Sequence, residues 1–198
     1  VMCSTLLWAD DTGLPFVPRW VFEPWVWEDD INTGTAVREL VQGYRDRDIP
    51  VGAVIIDSPW ETAYNTFIVD TTRYPDMTGL IDDLHEQDVR VLLWITSLIN
   101  VRSRDGLNTG QASNYQEAYD RGFFVNEGQV FKWWKGEGSF IDYTNPAAVD
   151  WWHSQMDTAL SLGIDGWKVD AGNRMFPHVA KGHDRLMTKK EYSHLYYR

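Results

Sequence analysis

The sequence predicts an α/β fold built on a parallel sheet, and three observations predict it. Four short, almost wholly apolar runs alternate with stretches of helical periodicity. Strands that are apolar on both faces and separated by helices belong to parallel sheets. Three of the four runs end in acids, at Glu28/Asp29/Asp30, Asp57 and Asp170. Neither GxGxxG nor GxxxxGK[ST] occurs, which counts against a doubly wound nucleotide-binding sheet. The expected architecture is therefore a (β/α)8 TIM barrel, of which about the first four β/α units are present.

Each element follows from local chemistry. Residues 1–20 read as an irregular lead-in, punctuated by Gly13, Pro15 and Pro18. Trp20 to Phe22 and Trp25 to Trp27 form a β-prone stretch broken by Pro24. A helix is expected from Thr35 to Asp48, where Val37, Leu40, Val41 and Tyr44 share one face and Pro50 ends the run. Val51 to Asp57 is a buried strand. Thr78 to Gln87 carries Leu80, Ile81 and Leu84 on one helical face, and Val89 to Ile95 is the next strand. Residues 100–140 are polar, aromatic and glycine-rich, and read as a long loop insertion with a short helix near Tyr115–Asp120.

Asn145-Pro146 opens a further helix, with asparagine at the cap and proline in the first turn. Val149, Trp152, Met156 and Ala159 form its apolar stripe, and Gly163 ends it. Ile164 to Asp170 is the fourth strand, 171–187 reads as loop, and Thr188 to Glu191 is a capping box opening a last helix. A complete barrel typically needs ~250 residues and eight strands. The expectation is a barrel domain over 21–198, cut within its last helix, preceded by a linker from an N-terminal domain.

Composition narrows the function. The chain has 198 residues, 29 acidic against 18 basic, and a formal net charge of −11. Nucleic-acid binding is not expected, because phosphate neutralisation needs clustered Lys and Arg. No apolar run of membrane-spanning length occurs, and the apolar stretch from Val1 to Trp8 lacks a basic leader. Neither a membrane partner nor a signal peptide is expected. The lone Cys3 precludes an internal disulfide or a multi-cysteine zinc site. Eleven tryptophans exceed ordinary core needs. Their flat faces suit the C–H faces of sugar rings, although a tryptophan-rich core is the plain alternative.

In parallel α/β folds, function gathers at the C-terminal ends of strands. Carboxylates are costly there unless something uses them. Asp170 is the leading candidate: alternation puts Lys168 and Asp170 on one face, with Cβ atoms ~7 Å apart, and Trp167 and Val169 on the other. A nearby ammonium favours an ionised carboxylate, as a nucleophile requires; a structural Lys–Asp pair is the alternative. Asp57 is expected to accept hydrogen bonds from two sugar hydroxyls, with Trp60 near the rim, or else to cap a turn before Pro59. Trp94 lines the pocket floor or fills a barrel layer. Asp142 reads as a turn organiser, and Asp29 and Asp30 as a solvated loop. The spacing of His178, His183 and Asp184 matches no metal-ligand motif.

Four segments occur in a telling order. They are IPVGAVIIDSPW, FIVDTTRYPDMTGLIDDLHEQDVRVLLWI, WWKGEGSFIDYTNPAAVDWW and GIDGWKVDAG. Together they resemble glycoside hydrolase family 31 from about Pro18 to Arg198. The chain departs from the family pattern in Ala171-Gly172-Asn173, in Lys135 where proline is usual, and in Asp88 where glycine is usual. The resemblance implies a retaining α-glycosidase acting on α-linked oligosaccharides or glycosides, with Asp170 as nucleophile. It puts the family's sugar-binding acid at Asp57; Trp60, Trp94, Trp134 and Lys168 are the other expected substrate contacts, and no metal or cofactor is expected. Lys168 resembles members acting on α-xylosides and α-galactosides. The family's acid/base residue comes from a later strand, so this piece alone is expected to be inactive and poorly soluble. A transglycosylase or lyase on the same scaffold, and a non-catalytic carbohydrate-binding homologue, stand as alternatives.

Overall fold

The computed structural model describes residues 17–29, 32–104, 110–170 and 172–197. Four parallel strands form its centre: β1 (Trp25–Glu28), β2 (Ala53–Ile56), β3 (Arg90–Ile95) and, later in the chain, β7 (Gly166–Val169). They pair in the order β1-β2-β3-β7. The helices that alternate with them are α1 (Gly34–Arg45), α2 (Met77–His85) and α4 (Pro146–Leu160). This is a partial TIM barrel of four successive β/α units, the last helix being α5 (Lys189–Tyr196).

The helix starts are chemical. Thr33 accepts from the Ala36 N–H at 3.1 Å, Asp76 from Gly79 at 2.9 Å and Asn145 from Ala147 at 3.1 Å. Each satisfies an amide that the first turn leaves unpaired. At α5 the expected capping box is present, with Thr188 and Glu191 bonding reciprocally.

Alternation along the strands makes two faces. Val26, Val54, Ile56, Val91, Leu93 and Ile95 are buried outward. There they join Val37 and Val41 of α1, Leu80, Ile81 and Leu84 of α2, and Trp152 of α4 in one apolar cluster. Each such fully buried side chain contributes roughly 1.5–3 kcal/mol. The other face is the barrel interior. Register puts Trp27, Ile55, Leu92 and Gly166 side by side, and one layer higher pairs Trp94 with Lys168. Asp57 follows β2 and Asp170 follows β7, so both reach the C-terminal mouth.

Three expectations are corrected. Trp20–Phe22 is not a strand: Arg19–Phe22 makes a single 3-10 turn, closed by Val21 N–H on the Pro18 carbonyl and Glu23 N–H on Trp20. Proline on both sides confines the segment, and Phe22 is exposed.

The 100–140 region is not mainly loop. It holds an antiparallel sheet of β4 (Leu98–Ser103), β5 (Phe131–Trp133) and β6 (Gly136–Phe140), ordered β4-β6-β5, as well as the expected helix α3 (Tyr115–Asp120). Its glycines hid it. A Cβ on Gly138 would lie 2.5 Å from the Ile99 carbonyl oxygen, and one on Gly136 2.0 Å from that of Arg102. Close backbone approach selects glycine there, and glycine carries no strand signal. Residues 171–187 likewise contain a hairpin, β8 (Val179–Lys181) and β9 (Leu186–Thr188).

Candidate active site at the barrel mouth

The loop that follows β2 holds a buried polar network. In the loop after β2, Glu61 is fully buried and accepts from the backbone N–H groups of Asn65, at 2.8 Å, and Phe67, at 2.7 Å. Both those residues have positive φ, 64° and 58°. A phenylalanine there is strained, and the carboxyl group holds the turn. Burial pushes the Glu61 carboxyl up to about 8, against the opposing effect of its backbone hydrogen bonds. Asn65 ties this loop to the next strands: its Oδ1 accepts from Thr96 N–H at 3.2 Å, and its Nδ2 donates to the Leu98 carbonyl. Asn114 donates to the Asn65 carbonyl at 3.0 Å.

Asp57, directly after β2, is 3% exposed. Its Oδ1 accepts from Ser58 N–H at 2.7 Å. Its Oδ2 accepts from the Trp27 indole at 2.6 Å and from the Lys168 ammonium. A carboxylate offers about four acceptor directions, and three are filled here. About one direction stays open at Asp57 in this structure, where hydrogen bonds from two sugar hydroxyls were expected. The ammonium expected to serve Asp170 is held on Asp57, across β3. A lysine stem is long enough to span the two strand spacings, about 9.5 Å, between β7 and β2.

Asp170 is fixed from two sides. Trp94 donates its indole N–H to Asp170 Oδ2 at 2.8 Å. The Tyr196 hydroxyl of α5 donates to the Asp170 carbonyl at 2.9 Å and approaches the Ile95 carbonyl at 3.3 Å. Burial pushes the Tyr196 phenol well above its usual range, so it remains a donor.

The tryptophans divide into support and surface. Trp94 is 1% exposed, stacked on Trp133 at 6.2 Å and edge-on to Tyr64 at 5.9 Å. It is a floor that presents its N–H to Asp170. Trp60 does not lie at the rim. It is fully buried beside Trp167, and its indole donates to the Trp94 carbonyl at 2.8 Å. Its ring supports the site and has no face to offer a sugar. Trp134 is exposed, set edge-on against Trp133 at 5.2 Å on the β5–β6 turn. Trp27 is half-exposed on the interior face of β1.

Other acids have structural partners. Asp142 accepts from the N–H and hydroxyl of Thr144 at 2.9 and 2.6 Å, organising the turn into α4 as read from the sequence. Lys135 reaches Asp29 at 4.0 Å from the β5–β6 turn. Asp30, and the side chain of Glu28, lie outside the described residues. His183 meets Thr144 through its backbone, and Asp184 pairs with Arg185 at 3.2 Å. Among the described residues no three His, Cys, Asp or Glu side chains group as a metal site.

Sequence reasoning missed Trp27 and Tyr196. Alternation along β1 was the available signal for Trp27, since it places that ring opposite Val26. Nothing in the sequence pointed from Tyr196 to the Asp170 carbonyl.

Comparison with known proteins agrees with this architecture. Residues 14–197 match the model for the glycosyl hydrolases family 31 TIM-barrel domain. An alpha-xylosidase of Emericella nidulans is 30% identical over 179 residues, covering 85% of this chain and 22% of that protein. The alpha-xylosidase XylQ of Lactiplantibacillus pentosus is 27% identical, covering 89% of this chain and 23% of its own length. The chain thus spans under a quarter of these relatives. Among solved structures, the cycloalternan-degrading enzyme from Trueperella pyogenes, in complex with a covalent intermediate, superimposes with a TM-score of 0.77 at 23% identity. It covers 91% of this chain and 28% of that one, a likeness of fold. A domain match over nearly the whole sequence, on a partial barrel with acids at its mouth, places this chain in glycosyl hydrolase family 31.

Proposed function

We propose that this chain supplies the nucleophile half of a retaining α-glycoside hydrolase. The observation that carries the reading is the setting of Asp170. It sits at the C-terminal end of a barrel strand, its carboxyl group oriented by the Trp94 indole and its backbone pinned by Tyr196. A group held this way is positioned before substrate arrives, which is where catalytic advantage from orientation originates.

In the proposed reaction, Asp170 attacks the anomeric carbon. The new carbon–oxygen ester bond forms as the glycosidic bond breaks, and a second carboxyl group gives its proton to the departing oxygen. That group then takes a proton from water, whose oxygen displaces Asp170 and releases the sugar. Retention requires the two carboxyl groups ~5–5.5 Å apart. The second is assigned to a part of a family 31 barrel outside these 198 residues. The covalent intermediate recorded for the Trueperella pyogenes enzyme supports the two-step course. The two alpha-xylosidases make α-xylosides the first substrates to test, followed by α-glucosides.

Around Asp170, Lys168 supplies ammonium N–H donors and Trp134 an exposed ring for sugar stacking. Asp57, paired with Lys168, is the acid that accepts from a sugar hydroxyl, and Trp94 and Trp60 form the floor beneath. The test is Asp170→Ala in the protein expressed from the full reading frame. Turnover of an aryl α-glycoside should fall by about 10³-fold or more, as expected for removal of a nucleophile. Unchanged turnover would sink the assignment.

A further inference from the structure

A cavity of about 340 Å³ lies between the segment that follows α3 and the β8–β9 hairpin. Tyr119, Phe124, Glu127, Asp142, Lys181 and His183 line it, and it shares no residue with the arrangement around Asp57 and Asp170. Hydrogen bonds hold its two sides together. The Lys181 N–H donates to Asn126 Oδ1 at 2.6 Å, and the His183 N–H to Thr144 Oγ1 at 3.0 Å. The Thr144 hydroxyl in turn donates to Asp142 Oδ1 at 2.6 Å. Glycine permits this approach: a Cβ on Gly182 would lie 2.5 Å from Thr144 Oγ1 and 3.1 Å from Asp142 Oδ1. The cavity is thus formed before a ligand arrives, and its size suits a small molecule.

Asp142 points to the kind of ligand. It is 2% exposed, and among the described residues its carboxyl group accepts hydrogen bonds only from Thr144, at Oδ1. Oδ2 is left for the cavity that Asp142 lines. A buried carboxyl oxygen is costly to leave unmatched, so the ligand must bring a donor. Lys181 and His183 offer donors of their own, so the ligand must also accept. Lys181 and Glu127 pair at 2.6 Å and offset each other's charge, and Asp142 opposes an anion. Tyr119, half-exposed, adds an aromatic ring to the wall. Hydroxyls that both donate and accept, on a body with C–H faces, meet all these demands.

We infer that this cavity is a second sugar site, taking one unit of an α-linked oligosaccharide, with a ring hydroxyl donating to Asp142 Oδ2. The choice of α-linked sugars rests on reading the chain as a glycoside hydrolase; the demand for a hydroxyl-rich ligand does not. A site of this kind retains an oligosaccharide on the protein without touching the reacting atoms.

The test is hydrogen exchange read by mass spectrometry on the protein expressed from the full reading frame. That protein carries Asp170→Ala so that sugar is not consumed. The probe is isomaltotriose, titrated through the millimolar range. It should slow exchange saturably, by at least about twofold, in peptides covering 119–128 and 179–186. Asp142→Asn keeps the oxygen that Thr144 needs and puts an NH2 donor where Oδ2 faces the cavity. It should weaken half-saturation about tenfold, as expected for loss of one strong hydrogen bond. Tyr119→Ala, at a half-exposed position, should weaken it at least about threefold by removing the ring, and keeps the test valid should Asp142→Asn fail to fold. Absence of saturable protection in both segments would overturn the inference. So would protection that Tyr119→Ala and a folded Asp142→Asn both leave unchanged. Protection confined to peptides containing Asp57 and Asp170 overturns it while leaving the functional reading in place. Protection of the cavity segments without those peptides supports the inference and counts against the functional reading.

Discussion

Asp57 shows how far a single residue can be read from sequence. Its place at a strand end was legible, because an acid closing an apolar run has few structural uses. Its partners were not, because they lie 30 and 111 residues away, in Trp27 and Lys168. Glu61 is the converse case. It carried no motif, yet it is fully buried and braces two left-handed residues in the loop after β2. Its carboxyl titrates near 8 in the folded chain against 4.5 as an ordinary glutamate. Between those values the folded state keeps a proton that the unfolded state has released. This contribution is fully present below the lower value and is lost as pH rises through about 8. Urea unfolding from pH 5 to 8 should therefore show stability falling with a slope of up to about 1.4 kcal/mol per pH unit from this group. Glu61→Gln should remove that component of the slope. A variant whose stability keeps the wild-type pH dependence would contradict the assignment.

Elements with strong periodicity were legible, and those built on glycine were not. The four parallel strands and helices α1, α2 and α4 follow from apolar runs and 3.6-residue stripes, and their ends shifted by only a few residues. The β4-β6-β5 sheet escaped because Gly136 and Gly138 are chosen for backbone approach, which leaves no hydrophobic alternation. That sheet matters to the site, since its β5–β6 turn carries Trp134 and Lys135. Helix α5 was legible as a helix from its capping box, while its role was not. Tyr196 makes it a brace for Asp170. In Tyr196→Phe the carbonyl loses its donor, at a cost of about 1 kcal/mol in stability. If the brace positions the nucleophile, kcat should fall several-fold with KM unchanged. Equal Michaelis parameters alongside lower stability would reduce Tyr196 to a structural contact.

At the scale of the molecule, the central sheet packs one face against its helices and carries Lys168 and Trp94 on the other. Among the described residues, β1 and β7 each pair on one side only. Unpaired strand edges and half-exposed interior rings such as Trp25 and Trp27 are surfaces that a closed barrel covers. The fold class, and the position proposed for the nucleophile, were read from acids at strand ends and from the order of four motifs. The neighbours that orient them required the three-dimensional register.

The central claim is that Asp170 forms a covalent bond to the anomeric carbon. The most direct measurement is incubation of the protein from its full reading frame with mechanism-based α-glycoside inactivators, α-xylosyl reagents first, followed by peptide mass spectrometry. A glycosyl adduct on the peptide containing Asp170, absent in Asp170→Ala, is the predicted result. A folded protein that takes no label from any reagent, or takes it on another carboxylate, would contradict the claim.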